Sequence, residues 1–226
     1  MHPQGARLWL VRHGQTDWNA AGRIQGHTPT ELNATGRAQA AALAAQLAGK
    51  TFAAVWSSDL PRAAQTAEAL AKPHNLPVQT TPDLRERSFG NFEGASSDEI
   101  RAARTALGLE QTGDLADWTG MPGIESNDAL WERVAGILRQ LSDQYPDQDV
   151  LVATHGGVLA RAVYRTLAIP DGTPRRFPLS NGIVAVLQYR KDAFYLLSLV
   201  DMNLVTGQRP AADTATMGPA THGPSA

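Results

Sequence analysis

Asp149-Val150-Leu151-Val152-Ala153-Thr154-His155-Gly156-Gly157 is the stretch on which the fold reading turns. Its apolar run from Asp149 to Thr154 reads as a buried strand, and His155-Gly156-Gly157 leads into a helical pattern from Val158 to Leu167. The arrangement has a counterpart near the start of the chain. There Leu8-Trp9-Leu10-Val11 is a short apolar run followed abruptly by Arg12-His13-Gly14. Between the two, Phe52 to Trp56 reads as another buried strand. Ser58 or Asp59 is placed to cap the helix that follows, with Pro61 in its first turn. That helix carries Ala63, Ala64, Ala67 and Leu70 and stops near Pro73.

The remaining segments fit the same alternation. Residues 34–48 are Ala-rich with Leu43 and Leu47, a helical pattern ended by Gly49. Residues 78–94 read as a short strand and an irregular loop. Residues 95–125 read as a cap-like excursion from the core, helical around 97–108. Leu130, Val134, Ile137, Leu138 and Leu141 follow helical spacing. Ile183 to Gln188 and Ala193 to Val200 pair as antiparallel strands around Arg190-Lys191-Asp192. Strands alternating with helices indicate an α/β fold, a three-layer α/β/α sandwich whose central sheet is mostly parallel with an antiparallel edge. Residues 1–205 are expected to form one domain. Residues 206–226, poor in large apolar groups, are expected to be a disordered tail.

Composition narrows the function classes. Among 226 residues, 20 Lys and Arg face 22 Asp and Glu, so no global basic field argues for nucleic acid or a membrane surface as partner. The absence of cysteine removes disulfides, zinc thiolate sites and cysteine nucleophiles, and suits a cytoplasmic protein. No stretch approaches the roughly 18 apolar residues of a membrane span.

A cationic or imidazole side chain follows three of the strands: Arg12 and His13 after the first, Arg62 after the second, and His155 after the Asp149–Thr154 strand. In open α/β sheets the ligand crevice lies at the carboxyl ends of the strands, so these side chains can converge. Gly14, Gly156 and Gly157 would let backbone approach a ligand, and the amides opening the helix after His155 favour an anion. Two arginines, two histidines and a helix N-terminus suit phosphate, because planar guanidinium donors bind two phosphate oxygens together. Taken singly, each piece has a plainer reading: a surface pair, a solvated helix residue, a structural histidine in a turn. Glu86, between Arg85 and Arg87, would by itself be a surface charge.

Taken together, the pieces resemble the histidine phosphatase superfamily in its phosphoglycerate mutase-like branch. The resemblance rests on five segments in order: Leu10-Val11-Arg12-His13-Gly14-Gln15-Thr16-Asp17-Trp18-Asn19, Gly22-Arg23-Ile24-Gln25-Gly26, Ser57 to Ala67 around Arg62, Leu84 to Gly94 around Glu86, and Thr154-His155-Gly156-Gly157. It spans about residues 8 to 200. Glu31, Asn33 and Asn203 depart from residues common among relatives.

The resemblance implies that His13 takes the phosphoryl group, that Arg12, Arg62 and His155 hold its oxygens with Asn19 and Gly156 assisting, and that Glu86 protonates the departing oxygen. Gln25 and Gly26 would border the substrate. It further implies a small phosphorylated metabolite as substrate, with no metal and no cofactor, and leaves a homodimer through a sheet edge open. Neutral imidazole attacks phosphorus and forms a labile phosphoramidate, dividing one hard step into two. For that, the other ring nitrogen of His13 should be held by a backbone carbonyl, expected near Gly14. An ionised carboxyl beside phosphate is repelled, so Glu86 is expected to hold a proton near neutrality and later to activate water.

The expected activity is metal-independent phosphomonoester hydrolysis through a phosphohistidine. A phosphoglycerate mutase shares the pocket but needs a more elaborate lid, and Phe89-Gly90-Asn91-Phe92-Glu93-Gly94 looks like the phosphatase-type relatives. A noncatalytic regulator should have lost at least one member of the set. Arg101 and Arg104 are read as a solvated helix face, Trp131 as core, and Trp118 and Met121 as candidate contacts to the leaving group.

Overall fold

The computed structural model describes residues 5–109, 118 and 120–202. The elements run β1 (Arg7–Arg12), α1 (Asp17–Ala20), α2 (Ala34–Leu47), β2 (Ala54–Ser58), α3 (Pro61–Ala71), β3 (Val78–Thr81), α4 (Ser97–Ala106), α5 (Asn127–Gln144), β4 (Asp149–Thr154), α6 (Gly156–Thr166), β5 (Ile183–Arg190) and β6 (Ala193–Asp201). The six strands form one sheet in the order β3-β2-β4-β1-β5-β6. β3, β2, β4 and β1 are mutually parallel, while β5 runs antiparallel to both its neighbours. This is the expected mostly parallel sheet with an antiparallel edge.

The parallel strands are apolar on both faces because helices cover both faces. Successive residues of β4 divide between two cores. Val150 and Val152 pack with Leu8, Leu10, Leu138, Val158 and Leu159 beneath α5 and α6. Leu151 and Ala153 pack with Val11, Leu43, Leu47, Val55 and Leu70 beneath α2 and α3. The β5–β6 hairpin closes through Lys191 and Asp192, both at positive φ (49° and 60°), the backbone pair that a tight hairpin turn requires.

Several boundaries differ from the sequence reading. β2 begins at Ala54 rather than Phe52 and extends to the buried hydroxyls of Ser57 and Ser58, of which Ser57 Oγ donates to the Ser58 carbonyl at 2.7 Å. The cap of α3 is Leu60, with no side-chain cap bond; Asp59 is instead held by Arg85 at 2.6–2.7 Å. α6 starts at Gly156, two residues early. Its N-cap His155 contributes no side-chain cap. Arg104 is not on a solvated face: it is 5% exposed on the inner side of α4, whereas Arg101 is exposed and pairs with Asp98. Asn33 caps α2 by accepting the Gly36 amide at 2.9 Å, so its departure from relatives keeps the capping chemistry. Asn203 and the expected tail lie outside the described residues, as does part of the 95–125 excursion.

Candidate active site

The β1–β4 pairing builds the site. In register, Arg12 stands beside Thr154, and the His13 amide donates to the Thr154 carbonyl at 2.9 Å. The two histidines that follow these strands are thereby brought together, with ring centroids 5.2 Å apart at 62°. Arg62 comes from the start of α3, at the end of the next strand but one. The expected convergence at the carboxyl ends of the strands is what the fold produces.

A cleft of about 160 Å³ opens there, and its lining includes Arg12, His13, Asn19, Gln25, Gly26, Arg62, Glu86 and Gly156. His155 lies behind this surface, fully buried. Neither Met121 nor Trp131 lines the cleft, whereas Trp118 does, stacked edge-on with Phe89 at 4.7 Å. Trp131 packs on the α5 side of the core against Phe194.

His13 Nδ1 meets the Gly14 carbonyl at 2.7 Å. A carbonyl only accepts, so Nδ1 carries the hydrogen and the lone pair is on Nε2. Burial, then the charges of Arg62 and Arg12, hold the His13 imidazole well below its ordinary titration range. His155 is depressed by burial first and then by Arg62, His13, Arg133 and Arg12. Both rings are therefore neutral in the ligand-free protein. Neither nitrogen of His155 has a hydrogen-bond partner among the described residues.

Arg62 is 0% exposed. Its terminal nitrogens donate to the carbonyls of Thr28 (2.9 Å) and Gly26 (2.7 Å), and its buried Nε has no partner among the described residues. These acceptors orient the guanidinium without neutralising it. Burial lowers Arg62 to about 10, against the opposing pull of Glu86 and Glu93. Arg62 Nε and both nitrogens of His155 are thus buried polar atoms without a hydrogen-bond partner among the described residues, a costly arrangement that a bound anion would relieve.

Glu86 enters from the loop after β3. Its carboxylate accepts the amides of Arg87 (2.8 Å) and Gly157 (2.9 Å). One of the amides expected to bind an anion at the α6 N-terminus is thus already taken by a side chain. The glycines likewise make room for protein rather than ligand. A Cβ at Gly157 would lie 2.2 Å from Glu86 Oε1, one at Gly156 3.3 Å from Arg12 Nε, and one at Gly14 2.4 Å from the Gly36 carbonyl oxygen.

Asn19 closes the capping box of α1 with Thr16, and Gln25 Oε1 accepts the Thr16 hydroxyl at 3.0 Å. These two cleft residues are fixed by each other's neighbours before any ligand arrives.

The sequence model of the histidine phosphatase superfamily (branch 1) matches residues 8–202. The chain belongs to that superfamily. Among curated members of this histidine phosphatase group, the chain is 37% identical over 200 residues to the metal-independent phosphoserine phosphatase of Arabidopsis thaliana, covering 86% of this chain and 81% of the relative. It is 34% identical over 182 residues to the adenosylcobalamin/alpha-ribazole phosphatase of Escherichia coli, covering 78% and 86%. A mycobacterial glucosyl-3-phosphoglycerate phosphatase solved with VO3 superposes with a TM-score of 0.73 at 30% identity, covering 87% of this chain and 98% of that one.

Sequence reasoning missed four contributors. Asn181 Nδ2 donates to the His13 carbonyl at 2.8 Å. His27 Nε2 donates to the Glu86 carbonyl at 2.8 Å. Arg133 on α5 and Arg87 anchor the same loop. The Asn181 segment carried a faint signal, a polar Ser180-Asn181 pair abutting a buried strand; Arg133 carried none, being one of several helix arginines.

Proposed function

We propose that this member of the superfamily is a metal-independent phosphomonoester phosphatase that acts through a phosphohistidine at His13 on a small phosphorylated metabolite. The carrying observation is the Gly14 carbonyl on His13 Nδ1, which leaves the Nε2 lone pair at a cleft lined by Arg12 and Arg62. The family membership and the phosphatase names of the relatives support the same reading.

In the first step His13 Nε2 attacks phosphorus, the bond to the ester oxygen breaks, and protonated Glu86 gives its proton to that oxygen. Water then attacks phosphorus, Glu86 receives its proton, and the N–P bond breaks to release phosphate. Arg12, Arg62 and His155 offset charge on the three equatorial oxygens, the task that a metal ion performs elsewhere. As the dianion enters, the neutral His155 imidazole takes one proton from solvent on its free ring nitrogen and then donates to a phosphate oxygen. Asn19, Gln25, Gly26 and Gly156 border the ester.

The test is hydrolysis of p-nitrophenyl phosphate in EDTA by wild type and by His13→Ala, with alkaline quench and phosphorus NMR to detect the acid-labile N–P bond. Wild type should turn over and show a phosphoramidate; His13→Ala should do neither. Equal activity in both proteins would remove His13 from the mechanism. Isomerisation of phosphoglycerate without phosphate release would replace hydrolysis by mutase chemistry.

A further inference from the structure

Glu93 is a half-buried carboxylate that the reaction above does not use. It is not among the residues lining the cleft, yet it lies against the loop that orients Arg62. Its Oε1 accepts the His27 amide at 2.9 Å and, at longer range, the Phe89 amide at 3.3 Å. Its Oε2 accepts the Thr28 hydroxyl at 2.8 Å. The donors come from two loops, residues 26–28 and the segment that carries Glu86.

Backbone pairing brings the carboxylate there. The Ile24 amide donates to the Ala95 carbonyl at 3.0 Å and the Gly94 amide to the Ile24 carbonyl at 2.7 Å, so the two loops lie side by side. Gly26 opens the space. It sits at φ 53°, where glycine is unstrained, and a Cβ on it would lie 2.2 Å from Glu93 Oε1.

The loop in turn sets the direction of Arg62. One terminal nitrogen of Arg62 donates to the Gly26 carbonyl at 2.7 Å, the other to the Thr28 carbonyl at 2.9 Å and the Thr30 hydroxyl at 3.3 Å. Because a guanidinium is planar, fixing two of its nitrogens fixes the whole fork. The two carbonyls flank His27, the residue whose amide Glu93 holds.

Charge alone would give Glu93 the opposite effect. Burial lowers Arg62, and Glu86 and Glu93 oppose that shift, so Glu93 is close enough to repel an incoming dianion as well. Against this, a carboxylate is acceptor-only on both oxygens and can serve all these donors at once, which a neutral amide cannot.

We propose that Glu93 is a positioning residue for phosphate binding: by holding residues 26–28 it aims the Arg62 guanidinium at the phosphate. This rests on the reading of Arg62 as a phosphate ligand and adds the group that orients it.

The test is calorimetric binding of inorganic phosphate to wild type and variants, with p-nitrophenyl phosphate turnover in the same samples. Glu93→Ala should weaken phosphate about tenfold, and Glu93→Gln, which keeps one acceptor oxygen, by less. In an Arg62→Lys background, where a point charge replaces the fork, the Glu93→Ala effect should shrink to about twofold or less. Unchanged or tighter phosphate binding by Glu93→Ala overturns the proposal, because removing a carboxylate with no positioning role only relieves repulsion. A full tenfold loss that persists in the Arg62→Lys background also overturns it, since the effect would then not pass through Arg62. If Glu93→Ala does not fold, Thr28→Val, which deletes one of the bonds to Glu93, should weaken phosphate about two- to fivefold, and an unchanged affinity overturns the proposal. Wild type that binds phosphate without hydrolysing an ester counts against the phosphatase reading, and the affinities still decide the role of Glu93; wild type that binds no phosphate overturns both.

Discussion

At the residue scale the site is organised by what burial does to imidazole. His13 and His155 both titrate well below the ordinary value of 6.5, through burial first and then the neighbouring arginines. Between their folded values and 6.5 the unfolded chain binds more protons than the native one, so stability rises with pH there. Ligand-free protein should therefore lose stability as pH falls below about 6.5, by up to about 1.4 kcal/mol per pH unit for each histidine. Urea unfolding at pH 7.5 and 5.5 measures this, and His155→Asn should flatten the slope; a pH-independent wild type would contradict it. Glu86→Gln keeps the shape but cannot give a proton. Its kcat on an alkyl phosphate should fall about 10²–10⁴-fold, with a smaller loss on p-nitrophenyl phosphate, whose leaving oxygen needs little protonation. Equal losses on both esters would argue against the acid role.

At the element scale, α5 and α6 hold the Glu86 loop from two sides. Arg133 donates to the carbonyls of Asp83 (2.9 Å), Arg85 (2.7 Å) and Glu86 (2.8 Å), and is itself fixed by both oxygens of Glu125. It is a positioning residue. Arg133→Met should destabilise the fold by about 2–3 kcal/mol and lower kcat more on alkyl than on aryl phosphates, with Arg133→Lys restoring part of both. A stability loss with the alkyl-to-aryl ratio unchanged would reduce Arg133 to a structural bond.

Two glycines separate activity from stability in the same way. At Gly157 an added methyl meets the movable end of Glu86, so Gly157→Ala should cost activity and little stability. At Gly36 it meets the Gln15 carbonyl oxygen at 2.0 Å, backbone against backbone where α2 abuts the His13 loop. Gly36→Ala should therefore destabilise by about 1–3 kcal/mol. Thermal or urea unfolding beside p-nitrophenyl phosphate turnover checks both; a stability loss in Gly157→Ala as large as that in Gly36→Ala would refute the distinction.

At the scale of the whole molecule, the site is an arginine-lined cleft at the strand ends of a three-layer frame. Binding of inorganic phosphate should stabilise the protein by mass action, about 2.7 kcal/mol at a hundred times its dissociation constant. Arg62→Met should remove most of that increment, which thermal unfolding with and without phosphate reads directly. Unchanged stabilisation in the variant would place phosphate elsewhere. Among the described residues no helix is long and apolar enough to cross a membrane, and the sheet ends in β3 on one side and β6 on the other.

The sequence alone determined the order of elements, the doubly covered sheet and the cationic side chains at its strand ends. Those features are local: apolar runs and helical spacings need only neighbours a few residues apart, and motif order survives without knowledge of contacts. Tertiary structure decided the partners. The register of Arg12 against Thr154 sets the distance between His13 and His155, and the packing of α5 and α6 assigns Arg87 and Arg161 to the cleft and Arg133 to the carbonyls of the Glu86 loop. It also gave Asp59 to Arg85 instead of to a helix cap, buried Arg104, and filled the space above Gly157 with a carboxylate rather than a ligand. A charged side chain's partner across such separations depends on strand pairing and helix packing. Because burial makes an unmatched donor costly, the folded chain rather than the local sequence determines which arginines remain to meet a substrate.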